Sequence, residues 1–209
     1  SFEYLKDKKI LENTNLEILS GDKIGIVGDS GKGKSTIINL ISGLLKQSSG
    51  EIHIDNNNIN YDFLLRNLSL IPQNPFFANG SIKDNLCFGV DSDKINLEKV
   101  NEALKIVELF DFVNEMKDKI DTIVGEKGSI LSGGQLQRLG IARSLYSNPD
   151  LLILDESTNA LYKDTQKKII NNLFLNYKNK TIIIISHDHN ILSECNKIYK
   201  IENKKIQLI

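Results

Sequence analysis

Gly28-Asp29-Ser30-Gly31-Lys32-Gly33-Lys34-Ser35-Thr36 decides how this chain is read. It fits G-x-x-x-x-G-K-[ST], the pattern of a phosphate-binding loop. Lys23-Ile24-Gly25-Ile26-Val27 leads into it as an apolar run and predicts a buried strand. Behind it, Ile37, Ile38, Leu40, Ile41, Leu44 and Leu45 recur at helical spacing. Strand, glycine loop and helix is the order a phosphate site needs. The glycines let the backbone curl so that N–H groups converge on phosphate oxygens, and the opening helix adds the positive end of its dipole. Lys34 suits the outer phosphates and the Ser35 hydroxyl suits magnesium. A glycine-rich turn that binds nothing is the plain alternative. Glycines, lysine and hydroxyl at the required spacing weigh against it.

Composition bounds the rest. A chain of 209 residues is most simply one domain with a sizeable core. With 26 basic residues against 27 acidic ones, no electrostatic case exists for nucleic acid as the main partner. Cys87 and Cys195 lie far apart without metal-ligand spacing and read as reduced core thiols of a cytosolic protein. No apolar run approaches the roughly 20 residues that span a bilayer, and no signal-peptide pattern is visible. The chain opens at Ser1 without an initiator methionine, which reads as a piece of something longer.

Upstream of the loop, residues 1–22 read as short strands and turns, with Leu16 and Ile18 alternating with polar residues and Ser20-Gly21-Asp22 as a turn. Tyr4 is an aromatic placed to stack on adenine, with plain strand packing as the alternative. Downstream, Ser48-Ser49-Gly50 breaks the chain. Glu51-Ile52-His53-Ile54-Asp55 alternates as a strand with His53 exposed, Asn56-Asn57-Asn58 is a turn, and Leu68 to Ile71 is a strand ending at Pro72-Gln73.

Residues 74–146 change character and read as a helical insertion into an α/β core rather than a separate domain. Leu97, Val100, Leu104 and Val107 mark an amphipathic helix, and Phe110, Phe112, Val113 and Met116 continue its apolar face. Leu131-Ser132-Gly133-Gly134-Gln135 then heads another helix. Two glycines there make a second anion site by geometry, although a plain helix entry is the better reading of that stretch alone.

Leu151-Leu152-Ile153-Leu154-Asp155-Glu156 is a buried strand ending in two carboxylates. Acids at such a strand end are costly unless they serve a cation or a reaction. Asp155 suits water-mediated contact with magnesium, and Glu156 suits a general base for water. Asp164 is a candidate cap for a helix carrying Ile169, Ile170, Leu173, Phe174 and Tyr177. Thr181 to Ile185 is a further buried strand ending in Ser186-His187, which puts His187 at the sheet edge of the glycine loop and the acid pair. His189 reads as solvated, and residues 197–209 as a terminal hairpin.

Taken together these residues resemble the nucleotide-binding domain of ATP-binding-cassette (ABC) transporters, over essentially the whole chain. The combination of GDSGKGKST, LSGGQ at 131–135, LLILDE and a following Ser-His carries the resemblance. It implies an α/β fold: a P-loop NTPase (RecA-like) core with an N-terminal antiparallel β subdomain and an inserted α-helical subdomain at about 74–146. Residues 1–209 would form a single nucleotide-binding domain, with a membrane domain expected upstream.

The resemblance implies ATP and magnesium as cofactors. Tyr4 would stack on adenine, and Asp29, Ser30, Gly31, Lys32, Gly33, Lys34, Ser35 and Thr36 would hold the phosphates. Ser35, Gln73 and Asp155 would serve magnesium. Glu156 would be the catalytic glutamate and His187 the residue holding γ-phosphate and attacking water, with Lys34 completing the catalytic set. Ser132, Gly133, Gly134 and Gln135 would contact ATP held by a second nucleotide-binding domain, identical or different, so that a dimer closes on two ATP molecules. The implied function is ATP hydrolysis powering export, at the cytoplasmic face of the cell membrane and with no nucleic acid partner.

Two stretches resemble exporters in particular: residues 73–82, where the family receives the membrane domain, and Val124-Gly125-Glu126-Lys127-Gly128 before LSGGQ. Four positions depart from the family pattern. The usual S-A-L-D is Asn159-Ala160-Leu161-Tyr162 here, Lys32 replaces a small residue, and Asp188 follows the histidine where arginine is frequent. Rival readings are a non-transport ABC ATPase of DNA repair or ribosomes, and a nucleotide-binding regulatory module without turnover. The first lacks the long coiled-coil insertion or second cassette it needs, and Glu156 and His187 argue against the second.

Overall fold

The computed structural model describes residues 1–6, 8–55, 57–58 and 61–209. Its strands are β1 (Phe2–Leu5), β2 (Lys8–Leu11), β3 (Lys23–Val27), β4 (His53–Ile54), β5 (Asn57–Asn58), β6 (Leu68–Ile71), β7 (Leu151–Asp155), β8 (Thr181–Ile185), β9 (Lys197–Glu202) and β10 (Lys205–Leu208). Its helices are α1 (Lys34–Ile41), α2 (Tyr61–Asn67), α3 (Ile82–Leu86), α4 (Leu97–Ile106), α5 (Phe110–Glu115), α6 (Gly133–Tyr146), α7 (Lys163–Asn176) and α8 (His189–Leu192). The chain divides into two units: Ser1–Leu70, Pro149–Asp155 and Asn179–Ile209 form the first, and Ile71–Asn148 with Glu156–Lys178 the second.

The first unit is built on a sheet of order β10-β9-β3-β8-β7-β6. β3 pairs in parallel with β8 and β9, and β7 with β8. Strands covered on both faces run as continuous apolar segments, and every residue of β8, Thr181-Ile182-Ile183-Ile184-Ile185, is buried. Ile24, Ile26, Ile37, Ile38, Ile153, Ile183 and Ile185 form the core with Phe2 and Leu11 of the β1–β2 hairpin. Truncating such a core isoleucine to alanine costs roughly 2–5 kcal/mol. The hairpin expected at the C-terminus is β9–β10, antiparallel, with Glu202 opposite Lys205. The fold is the expected α/β P-loop NTPase class.

Several local expectations are corrected. Leu16 and Ile18 lie in no strand; they are half-buried against the core while the chain around them is irregular. α1 stops at Ile41, because Gly43 just beyond the cap turns left-handed at φ 74° and the Leu45 amide folds back onto the Asn39 carbonyl at 2.9 Å, and Leu44 is left exposed. The strand expected over 51–55 shrinks to β4, with His53 exposed and 2.9 Å from Glu51. Asn57 and Asn58, expected in a turn, form β5, and Asn56 lies outside the described residues. α2 was not foreseen. Asp164 does not cap α7: Tyr162 is at the cap position and Asp164 sits inside the first turn, where its charge favours the helix dipole. The side chain of His189, expected to be solvated, lies outside the described residues.

In the second unit α4 and α6 pack together, α3 packs on α6 and α4 on α7. Val100, Ala103, Leu104 and Val107 are buried at the expected helical spacing, whereas Leu97, at the start of α4, is exposed. Asn96 caps α4 by accepting from the Lys99 amide at 3.1 Å. Ser81 and Asp84 close a reciprocal cap on α3. Tyr177 donates to the Leu145 carbonyl at 3.2 Å, and burial pushes its phenol up to about 12. Cys87 is buried and Cys195 partly so; both thiols are free, and burial raises both, Cys195 to about 12. Among the described residues no helix is long and apolar enough to cross a membrane.

Candidate functional site

In the first unit the glycine loop leaves the carboxyl end of β3 and opens α1. Gly33 is the cap residue of α1 at φ 105°, a left-handed conformation in which L side chains are strained. A Cβ there would also stand 3.0 Å from Ile10 Cγ2. No side chain caps α1 and its first turn holds no acid, so the helix start keeps its amides and dipole for an anion. Asp29, Ser30, Gly31, Lys32 and Ser35 are exposed along the loop.

Lys34 is only 7% exposed. Its ammonium donates to the Gly28 carbonyl at 2.6 Å and to Asp29 at 3.1 Å, and stands 3.3 Å from His187 Nε2. An ammonium has only protons to offer, so Nε2 is the acceptor in that contact. Buried Thr36 shares a 3.2 Å hydrogen bond with the Tyr4 hydroxyl. The Tyr4 ring meets Phe2 edge-on at 4.8 Å and is 56% exposed, leaving an aromatic face open beside α1.

Parallel register sets the strand ends level: Ile26 of β3 opposite Ile185 of β8, and Ile185 opposite Asp155 of β7. Gly28, His187 and Asp155 therefore emerge at one sheet edge, the carboxyl edge where open α/β sheets bind ligands. Among the described residues no group of three or more His, Cys, Asp or Glu side chains is placed to hold a metal ion. A lone strand-end carboxylate and the Ser35 hydroxyl instead fit magnesium, which keeps waters and takes its remaining ligands from substrate phosphates.

The second unit carries the other expected residues. Ser132 caps α6 by accepting from the Gln135 amide at 3.3 Å, while Gln135 Oε1 accepts from the Ser132 amide at 2.7 Å. Ser132 and Gly133 are exposed, Gly134 and Gln135 half-buried. A Cβ on Gly134 would lie 3.3 Å from the Ala160 carbonyl oxygen, so a side chain there would crowd the loop that packs against it. Gln73 is exposed and its backbone is fixed: its carbonyl accepts from Gln137 Nε2 at 3.3 Å. Gln137 Oε1 accepts from the Ala160 amide at 2.9 Å. Arg143 of α6 donates to the Phe76 carbonyl at 2.7 Å and lies 4.4 Å over the Phe77 ring. Phe77 is buried, whereas Phe76 is 69% exposed.

Glu156 follows the strand-end Asp155 with φ 49°, a left-handed bend unusual for a residue with a Cβ. Its carbonyl accepts from the Asn159 amide, and its Oε2 accepts from Asn159 Nδ2, each at 3.2 Å. Sequence reasoning missed Gln137, Arg143 and the Asn159–Glu156 pair. It also weighed an anion site against a plain helix entry there without seeing that Ser132-x-x-Gln135 spells a capping box, a signal that was present.

A parallel sheet with a glycine loop, a lysine, a strand-end aspartate and a histidine at its carboxyl edge defines a P-loop nucleotide-binding domain. The family described as ABC transporter matches residues 11–159. The chain is 39% identical over 206 residues to the alpha-hemolysin translocation ATP-binding protein HlyB of Escherichia coli O157:H7, covering 97% of this chain and 29% of that protein. It is 36% identical over 203 residues to the ABC multidrug transporter MDR2 of Trichophyton equinum, covering 96% of this chain and 15% of that one. A solved bacterial Atm1-family ABC exporter with ATP bound matches at a TM-score of 0.90 and 33% identity, covering 98% of this chain and 36% of that chain. The chain belongs to the ABC transporter family. It spans less than a third of the length of HlyB.

Proposed function

We propose that this chain is the ATP-hydrolysing motor of an exporter, pairing with a second nucleotide-binding domain around two ATP molecules. The observation that carries this reading is the uncapped start of α1, where a buried lysine and a histidine stand 3.3 Å apart at the carboxyl edge of a parallel sheet.

The α1 amides and Lys34 hold the phosphates and stabilise charge that develops on them. Tyr4 offers its ring face to adenine. Ser35, Gln73 and Asp155 are the residues that would hold magnesium; when bound it neutralises charge on the β- and γ-phosphate oxygens. Glu156 takes a proton from the attacking water as general base, and His187 orients the γ-phosphate. Ser132, Gly133, Gly134 and Gln135 present the start of α6 to nucleotide held by the partner domain. ATP favours the closed pair, hydrolysis removes that preference, and the difference in affinity supplies the work.

The exposed Phe76, in a segment pinned by Arg143, supports docking of a membrane domain there, at the cytoplasmic face of the membrane. Phosphate release from purified protein with Mg-ATP is the test. Steady turnover supports the motor reading, and nucleotide binding with no release at any protein concentration overturns it.

A further inference from the structure

We propose that Asn159 is a positioning residue for Glu156: its side-chain amide holds one oxygen of the carboxylate and so aims the other. This rests on the reading of Glu156 as the base for the attacking water. The geometry is local and doubly tied. Asn159 Nδ2 donates to Glu156 Oε2 at 3.2 Å, and the Asn159 backbone amide donates to the Glu156 carbonyl at 3.2 Å. Glu156 itself sits in the left-handed region at φ 49°, which turns its side chain sharply at the end of β7.

The donor is held from both sides. The next amide, Ala160 N, donates to Gln137 Oε1 at 2.9 Å, and Ala160 lies against Gly134 of α6. On the other side, Thr158 Oγ1 accepts from Gln166 Nε2 of α7 at 2.7 Å in a buried contact. A free glutamate side chain samples several rotamers, and few of them present an oxygen to a water. A neutral donor on an ordered loop narrows that set without adding a charge, and a hydrogen bond to a carboxylate is stronger than one to a neutral acceptor. The amide end of asparagine is the group required: it has protons to give, which a carboxylate does not. The serine usual in this family's S-A-L-D is shorter, so this chain's asparagine is what reaches Oε2.

The test uses this chain with Mg-ATP and compares Asn159→Asp, Asn159→Ala and Glu156→Gln. Aspartate is nearly isosteric with asparagine and the position is exposed, so the fold survives the change. Asn159→Asp sets a carboxylate against a carboxylate. It should lower kcat by about 10-fold while KM and ATP affinity stay within roughly two-fold. Asn159→Ala should lower kcat by less, again with KM unchanged. A merely structural loop residue would move KM and ATP affinity together with kcat. A kcat for Asn159→Asp within roughly two-fold of the original chain, or KM rising in step with the fall in kcat, overturns the proposal. The Glu156→Gln arm separates the two levels. If that variant hydrolyses ATP normally, the base assignment falls and this proposal with it; if it is inactive while both Asn159 variants match the original chain, only the role of Asn159 falls.

Discussion

Lys34 Nζ stands 3.3 Å from His187 Nε2 while donating to the Gly28 carbonyl at 2.6 Å. The two residues assigned to the outer phosphates are thus neighbours, and the loop's own carbonyls help to orient the lysine. A charged phosphate oxygen is a stronger acceptor for that ammonium than a neutral carbonyl. Lys34→Ala should lower hydrolysis by about 100-fold or more. A phosphate-release assay measures it, and retention of most turnover would remove Lys34 from the site.

Glu156→Gln should keep ATP binding and lose hydrolysis, because the amide preserves shape without basicity. ATP that is bound and not consumed stabilises the closed pair. Size-exclusion chromatography with Mg-ATP should therefore show a dimer in this variant. A monomeric profile at high protein concentration counts against the paired arrangement.

Ser132→Arg should block turnover while sparing ATP binding by the single chain, since the start of α6 is assigned to the partner's nucleotide. The variant also loses the Ser132 cap on the Gln135 amide, which costs about 1 kcal/mol. Its melting temperature should fall by only about 2–4 °C, too little to explain lost turnover. A fall in ATP affinity as steep as that of Lys34→Ala would place α6 at the same chain's nucleotide.

Tyr162 is 89% exposed and occupies the cap position of α7 without a side-chain cap bond. Aspartate caps helices far better, so Tyr162→Asp should raise unfolding stability by about 1 kcal/mol. In the full transporter the same change should alter the Hill slope of hydrolysis rather than ATP affinity. Superimposable curves of rate against ATP concentration would leave the ring a surface feature.

Asp22 gives the pH-dependent case. Burial pushes its carboxyl up, but hydrogen bonds from Lys197 at 2.7 Å, the Leu19 amide at 2.8 Å and Asn196 at 3.0 Å hold it below the ordinary 3.8. A carboxyl lowered by folding stabilises the protein above its unfolded pKa, and that contribution is lost as pH falls through the folded value. Asp22→Asn should cost about 2 kcal/mol near neutral pH. Denaturant titrations should show the gap to the original chain closing below about pH 4.

The glycine loop was legible because phosphate chemistry fixes its spacing: backbone amides, a lysine and a hydroxyl must converge, and few arrangements of residues allow it. The strand ends were legible because a sheet covered on both faces demands apolar runs that stop abruptly at Asp155 and Ser186. The end of α1 was not, since apolar periodicity ran on to Leu44 and Leu45 while the left-handed turn at Gly43, φ 74°, closed the helix first. Gln137 and Asn159 were invisible for a different reason. A polar side chain in a helix or loop has no periodicity that announces its partner, and only the folded chain decides which carbonyl or carboxylate faces it.

Gln137 has one consequence for how this family can drift. Among the described residues its two side-chain hydrogen bonds run to main-chain atoms, the Gln73 oxygen and the Ala160 nitrogen. Every residue type but proline offers the same nitrogen, and every residue the same oxygen. The joint is therefore blind to the side chains it fastens. Side chains along 159–162 can therefore change in what they do without unseating the loop from α6, which is how a segment reading Asn-Ala-Leu-Tyr occupies the place of Ser-Ala-Leu-Asp.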